Sequence, residues 1–280
     1  MILEKAIDIA SVKLRKNNIK TAQLDSEILM SLIMKKSRKF ILLNLNYNLE
    51  DSKLDNFKKL IKLRSKGKPI AHLTGRKNFW KHEFKINSDV LVPRPDTETM
   101  VEEALKLIKN KNKLCVLDIG IGSGCILLSI LNEKKNFRGV GIDISKKSLD
   151  LCKINAQNIG LKKRVKFFKS DVDNFSYGKY DLIVSNPPYI KRNKLKYLER
   201  DVKNFEPKIA LDGGLDGLSE IRKVINKSSE LIKKNGKFIL EIGFDQKNKV
   251  INLLKKEGFY INSTQKDLAN NDRCIVSTKI

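Results

Sequence analysis

Histidine is almost missing from this chain. His72 and His82 are the only two in 280 residues, and no carboxylate spacing surrounds them. Nothing here supports a His-based catalytic triad or a His-ligated metal. Cysteine is as sparse. Cys115, Cys125, Cys152 and Cys274 form no C-x-x-C pair and no zinc spacing, so neither a metal site nor a disulfide framework is expected. Cys115 and Cys274 sit in apolar, strand-like runs, where a free thiol acts as a small hydrophobe, and reduced structural thiols suit a reducing compartment. No apolar run approaches the roughly 18 residues of a membrane span. The opening MILEKAIDIASVKLRKN carries acids inside its apolar stretch and lacks a small-residue cleavage site, unlike a secretory signal. A cytoplasmic protein without membrane attachment is expected.

A hydrophobic content of 41% is enough for a real core, and the length suits one large domain or two modest ones. The charge is lopsided: 57 Lys+Arg against 32 Asp+Glu give a formal net charge of +25. Residues 1–92 carry 20 basic and 9 acidic side chains, and residues 93–280 carry 37 and 23. The shorter N-terminal part is the more densely charged. Two readings of the excess stay open. One is attraction to RNA-rich or acidic partners, including proximity to the ribosome. The other is codon bias, because the chain is rich in Lys, Ile and Asn and its lysines are scattered.

Residues 1–66 read as helix. Ile2, Leu3, Ala6, Ile7 and Ala10 recur on one helical face, as do Leu24, Ile28, Leu29, Leu32 and Ile33. A third stretch runs through Leu54, Phe57, Leu60, Ile61 and Leu63. Short connections between them predict a small bundle, which Gly67 and Pro69 end. Residues 70–92 change period, with a turn signal at Thr74-Gly75, and read as a β-hairpin between two domains. Pro93, Pro95 and the capping pair Asp96 and Thr97 then set up a helix. Beyond them strands are predicted at 114–118, 138–142, 165–168, 182–185, 237–242, 259–262 and 274–277. Helices are predicted at 125–131, 148–158, 221–234 and 247–257. Repeated βα units imply a parallel sheet covered on both faces.

Three motifs carry chemistry. Asp118-Ile119-Gly120-Ile121-Gly122-Ser123-Gly124 follows a strand and opens a helix, the place where open α/β sheets bind ligands. Its glycines are two apart, and Cys125 stands where the dinucleotide fingerprint wants a third glycine. That fits a nucleoside ligand lying across the loop better than a pyrophosphate cradle. Asp143 ends the next strand, where an acid accepts from ribose hydroxyls. Asp171 ends the one after and suits either an adenine amino group or a helix cap.

The third motif, Ser185-Asn186-Pro187-Pro188-Tyr189, decides the reaction type. Prolines bring no N–H, so the loop offers acceptors without competing donors. The Asn186 side-chain oxygen and the Pro187 carbonyl together suit both hydrogens of a planar NH2 group, with the Tyr189 ring stacked on it. Such a nitrogen is a poor nucleophile. Holding both N–H bonds localises its lone pair and aims it, so orientation and electrostatics supply the rate.

Asp-x-Gly-x-Gly-x-Gly with Asn-Pro-Pro-Tyr resembles class I methyltransferases that use S-adenosylmethionine on planar nitrogens. Further segments extend the likeness. They are Gly67-x-Pro69-Ile70-Ala71-x-Leu73-Thr74-Gly75, Phe79-Trp80, Val92-Pro93-Arg94-Pro95-Asp96-Thr97-Glu98, Glu206 through Leu218, and Lys266-Asp267-Leu268-Ala269 with Asp272-Arg273. Together these are similar to the bacterial peptide chain release factor glutamine methyltransferases (the PrmC or HemK group), over nearly the whole chain.

The resemblance implies a class I methyltransferase fold: a doubly wound, mostly parallel seven-stranded sheet with a small N-terminal helical domain joined by a β-hairpin. Residues 1–66 would be the bundle and recognise the substrate, 67–92 the hairpin linker, and 93–280 the S-adenosylmethionine-dependent domain. It implies methylation of the side-chain amide nitrogen of the glutamine in the Gly-Gly-Gln motif of release factors, which would be the protein partner. Asp118, Gly120, Ile121, Gly122, Ser123, Gly124, Asp143, Asp171, Val172 and Asn186 would contact the cofactor. Relatives often carry a bulky aromatic where Val172 stands. Asn186, Pro187, Pro188 and Tyr189 would hold the glutamine and carry the catalysis. Residues 206–218 would form a loop near the substrate entrance.

Three alternatives were weighed. A ribosomal-protein glutamine methyltransferase shares Asn-Pro-Pro-Tyr but resembles residues 93–98 less. An adenine-N6 nucleic-acid methyltransferase needs base flipping and, as a rule, a dedicated recognition domain. A non-catalytic nucleotide- or RNA-binding module leaves residues 186–189 without purpose.

Overall fold

Helical periodicity in the first quarter of the chain becomes five helices in a computed structural model that describes residues 1–280. They are α1 (Leu3–Lys16), α2 (Ala22–Met34), α3 (Arg38–Leu43), α4 (Asp51–Ser65) and α5 (Ile70–Thr74). With residues 199–205 they make one of two compact units. Leu3, Ala6, Ile7, Ala10 and Leu14 of α1 are buried, as the spacing predicts. They pack with Leu29, Met30, Phe57 and Ile61 into one core.

α2 departs from the expected face. Leu24 is exposed, whereas Asp25 and Glu27 are buried. Counting apolar residues fails here because both acids have cationic partners. The Arg64 guanidinium meets Asp25 at 2.6 Å, and that of Arg38 meets Glu27 at 2.6 Å. α3 was not foreseen; Ser37 caps it by accepting from the Phe40 N–H.

Gly67 and Pro69 end α4 but not the helical region. Pro69 opens α5, its φ already at −55°, so helix occupies the place where the hairpin was expected to begin. The hairpin is shorter, β1 (Arg76–Phe79) with β2 (His82–Lys85). It turns at Trp80-Lys81 and not at Thr74-Gly75, with Trp80 at a left-handed φ of 54°. Gly75 caps α5 at φ 71°.

The second unit comprises residues 77–198 and 206–280. After α6 (Glu98–Leu107) it runs β3 (Cys115–Ile119), α7 (Cys125–Glu133), β4 (Arg138–Asp143), α8 (Lys146–Asn158), β5 (Val165–Lys169) and β6 (Tyr180–Ser185). The short helix α9 (Arg200–Phe205) belongs to the first unit. Then follow α10 (Ser219–Leu231), β7 (Ile232–Glu241), α11 (Lys247–Lys256), β8 (Phe259–Lys266) and β9 (Asp272–Lys279). The predicted helix over 221–234 ends three residues early. Ile232 pairs instead with Tyr180, and Asn235, at φ 62°, stops any helical continuation.

The strand order is β5-β4-β3-β6-β7-β9-β8. The first five strands run parallel and β9 is antiparallel to both neighbours. This is the seven-stranded, doubly wound sheet expected. Val116, Leu117, Leu182, Ile183, Val184, Phe238, Ile239 and Leu240 are fully buried, as central strands covered on both faces must be. The chain passes from β3 outward to β4 and later returns to β6 on the other side of β3. That reversal is a topological switch point, where ligands collect beyond the carboxyl ends of the strands.

Candidate functional site

Register brings the motifs together. Ile119 at the end of β3 lies beside Ile142 of β4 and Ser185 of β6. The Ser185 hydroxyl donates to the Ile119 carbonyl at 2.8 Å, tying the two strand ends. Three loops thus open on one side into a cleft of about 470 Å³, whose wall includes Gly120, Ile121, Gly122, Ser123, Asp143, Asp171, Val172, Asn186, Pro187 and Pro188. Arg94, Thr97 and residues 207–210 complete it.

Three expected residues are not on that wall. Asp118 lies behind the loop. Gly124 is a packing residue: at φ 84°, a Cβ there would run into the Cys152 sulfur and come within 2.9 Å of Leu128. Gly120 differs, because a Cβ there would meet nothing within 4 Å; its φ of 75° serves the turn. Tyr189 is the third. Its ring packs against the hydrophobic core, and its hydroxyl faces Glu241 at 3.4 Å and the Arg273 guanidinium at 3.5 Å. Burial and the Glu241 charge raise its phenol well above the usual range. The stacking face expected of Tyr189 is turned to protein.

The acids share one electrostatic theme. Asp118 is 1% exposed, and neither carboxylate oxygen has a hydrogen-bond partner. Burial first, with the Asp143 charge adding, pushes it up to about 7; the Leu127 N–H faces it without reaching bonding geometry and offsets only part. Asp143 is raised by burial too, less so because it accepts from the Ser145 and Gly122 N–H groups. Those bonds, 2.8 and 3.0 Å, fix the acid and shape the glycine turn at once.

Asn186 is held by its nitrogen. Its amide donates to the Thr97 hydroxyl oxygen at 3.4 Å. The rest of the 186–189 loop is clamped from behind. The Gln246 amide donates to the Tyr189 carbonyl at 3.1 Å and the Gly217 carbonyl at 2.8 Å. Gly213 is glycine for the same reason: a Cβ would stand 2.8 Å from the Tyr189 Cα. The Gly213 N–H donates to the Ile190 carbonyl. Residues 206–218 are therefore a strap bonded to the 186–189 loop and not a free loop.

Sequence reasoning missed Glu241 and Gln246 and gave Thr97 only a capping role. Glu241 had a signal, an acid ending an apolar strand run just as Asp118 and Asp143 do. Gln246 had none.

Two family models match: "PrmC N-terminal domain" over residues 5–75 and "Methyltransferase small domain" over residues 97–204. The chain is 38% identical to a release factor glutamine methyltransferase of Clostridium acetobutylicum, over 100% of this chain and 99% of that protein. It is 34% identical to the enzyme of that name in Caulobacter vibrioides, over 100% and 97%. Among solved structures, the ribosomal protein L11 methylase of Lactobacillus delbrueckii subsp. bulgaricus superposes with a TM-score of 0.51 at 19% identity, over 68% of this chain and 82% of that one. This last likeness concerns the fold alone.

Proposed function

The chain belongs to the release factor glutamine methyltransferase family, and we propose that it transfers a methyl group from S-adenosylmethionine to the side-chain amide nitrogen of the glutamine in the Gly-Gly-Gln motif of peptide chain release factors, in the cytoplasm. The observation that carries the reading is Asn186. Its nitrogen is engaged by Thr97 at 3.4 Å, so its oxygen is the end left for a substrate NH2 group.

The cleft suits the cofactor in its donor set. Gly120 and Gly122 keep the loop open for close approach. Asp143 uses two of its acceptor positions on backbone N–H groups and retains others for ribose hydroxyls. Asp171 and Val172 offer an acceptor and an apolar face for the adenine. Burial raises both Asp118 and Asp143, and a cationic ligand relieves that cost. Bound there, S-adenosylmethionine supplies an electrophilic methyl group. The chain's residues then orient the nucleophile. Asn186 and the Pro187 carbonyl accept the two amide hydrogens, and these bonds strengthen as positive charge develops on nitrogen. Pro187 and Pro188 add no donor that competes. Tyr189, anchored through its hydroxyl and its carbonyl, holds the loop from the core side.

Incubation of the chain with S-adenosylmethionine and a release factor, followed by peptide mass spectrometry, tests the proposal. One added methylene on the Gly-Gly-Gln glutamine is expected, and none when that glutamine is replaced by asparagine. Modification of other residues, of ribosomal protein or of adenine in nucleic acid would overturn it.

A further inference from the structure

Asn186 has a polarity problem. A carboxamide presents oxygen on one side and nitrogen on the other, and the two are nearly equal in shape. A planar NH2 substrate needs the oxygen. If the amide turned over, two N–H groups would face the substrate's own two, and the site would repel what it should hold.

The structure contains a device that settles the orientation. Thr97 is buried, immediately before α6, and takes the Asn186 amide nitrogen on its hydroxyl oxygen at 3.4 Å. The same hydroxyl faces the carboxylate of Glu241, at the end of β7, and stabilises its ionised form. Glu241 is 2% exposed, and its Oε2 atom has no hydrogen-bond partner. A carboxylate only accepts. A hydroxyl has one proton, and once that proton points at Glu241 the oxygen is left to accept. Only the nitrogen side of Asn186 can then face Thr97.

We propose that Thr97 and Glu241 are positioning residues for methyl transfer: the ionised Glu241 orders the Thr97 hydroxyl, and Thr97 in turn fixes the Asn186 carboxamide with its oxygen toward the cleft. This rests on the planar-amide reading above and adds to it what sets the acceptor's direction.

The relay depends on protonation. Burial pushes Glu241 up to about 7, against the bond from Thr97, the Arg273 charge and the Tyr189 hydroxyl, while the Asp96 charge raises it. The buried thiols of Cys125 and Cys274 also feel its charge, and burial keeps both protonated. Once Glu241 takes a proton it can donate to Thr97. The Thr97 proton is then free for the Asn186 oxygen, and the carboxamide can turn over. Methyl transfer should therefore fall away on the acid side of the Glu241 ionisation.

The test uses the full chain and intact release factor. Thr97→Val keeps the shape and removes the hydroxyl. It should lower kcat about tenfold or more, the scale of one lost hydrogen bond plus a misoriented fraction, with S-adenosylmethionine affinity by calorimetry little changed. Thr97→Ser should restore most of kcat, and Glu241→Gln should remove the acid limb of the pH profile. A second readout needs no substrate. In the free protein the side-chain amide resonances of Asn186, identified by their loss in Asn186→Asp, should move with pH through the Glu241 ionisation and stop moving in Glu241→Gln. Unchanged kcat in Thr97→Val, Ser as damaging as Val, or amide resonances blind to pH would each overturn the relay. If the unaltered chain leaves release factor glutamine unmodified, the functional reading fails instead, and the resonances alone decide the relay.

Discussion

Arg94 and Glu206 meet at 2.6 Å, although more than a hundred residues separate them in the chain. The Glu206 side chain is buried and that of Arg94 is 37% exposed. Glu206 also accepts from the Val92 N–H at 3.3 Å, so one carboxylate joins the segment before α6 to the start of the 206–218 strap. Both segments wall the cleft. Glu206→Gln keeps an acceptor but loses the charge. It should cost about 1–2 kcal/mol in urea unfolding, because charge-assisted bonds are worth roughly 1.5–3 kcal/mol and the half-exposed Arg94 can turn to water. Glu206→Ala also orphans the Val92 N–H and should cost more. Equal stability of Ala and Gln variants would show that the Val92 bond contributes nothing.

Asp143 has two jobs that one experiment separates. It shapes the turn through Gly122 and Ser145, and by proposal it accepts from the ribose. Asp143→Ala should weaken S-adenosylmethionine binding about tenfold to a hundredfold. Asp143→Asn retains one acceptor oxygen and should lie between. Calorimetry showing full affinity in the Ala variant would remove the ribose role.

Gly120 and Gly124 look alike in the motif and differ in the structure. Gly124→Ala places a methyl group against Cys152 and Leu128 at a left-handed φ, and should cost about 1–3 kcal/mol in stability with overpacking as the cause. Gly120→Ala meets open space and should cost less in the melt but more in cofactor affinity, since its methyl projects where a ligand approaches. The two orderings, by thermal melt and by calorimetry, should be opposite. The same order in both would mean that both glycines serve only packing.

The parts of the site that lie on strand ends were legible in the chain. An acid or glycine closing an apolar run signals its own place, as Asp118, Gly120, Asp143 and Asn186 do, and β-strand register then brings such ends together. The unread parts depend on partners far away. Thr97 reaches Asn186 across 89 positions and Gln246 reaches Tyr189 across 57, and no local periodicity encodes either. Tyr189 was assigned to the substrate because an aromatic beside Pro-Pro suggests a platform. Its hydroxyl partners Glu241 and Arg273 turn it inward. α2 was misread for a related reason: buried Asp25 and Glu27 count as polar until their arginines are known.

Asp118 makes stability depend on pH in an unusual direction. Its folded pKa, about 7, lies above the ordinary aspartate value of about 3.9. The folded state therefore binds more protons than the unfolded state between these values, and stability contributed by Asp118 falls as pH rises through that window. Above about pH 7 the cost of a buried, unpartnered carboxylate is fully present. Asp118→Asn removes the charge, so it should melt higher than the parent at pH 8, by about 2–4 °C per kcal/mol relieved. At pH 4 the two should melt together. A gain that is equal at both pH values would point to packing and not to ionisation.

The ion pair between Arg64 and Asp25 is the most buried in the helical unit, with both side chains under 10% exposed and a separation of 2.6 Å. Arg64 also donates to the Lys68 carbonyl at 3.2 Å, so it joins α2 to the turn after α4. Removing water from two charges costs several kcal/mol each, and their attraction returns that only while both are present. Asp25→Ala strands a buried guanidinium and should destabilise by about 3–5 kcal/mol. The pair replaced together, Asp25→Leu with Arg64→Met, should recover most of the loss, because an apolar pair of similar volume carries no desolvation cost. Urea unfolding of the two single variants and the double closes the cycle. If the double variant is as unstable as the sum of the singles, the pair stabilises the bundle by more than its charges cost, and its role is structural strength. If the double recovers, the pair's contribution is specificity, one register of α2 against α4 that an all-apolar contact would leave free to slide.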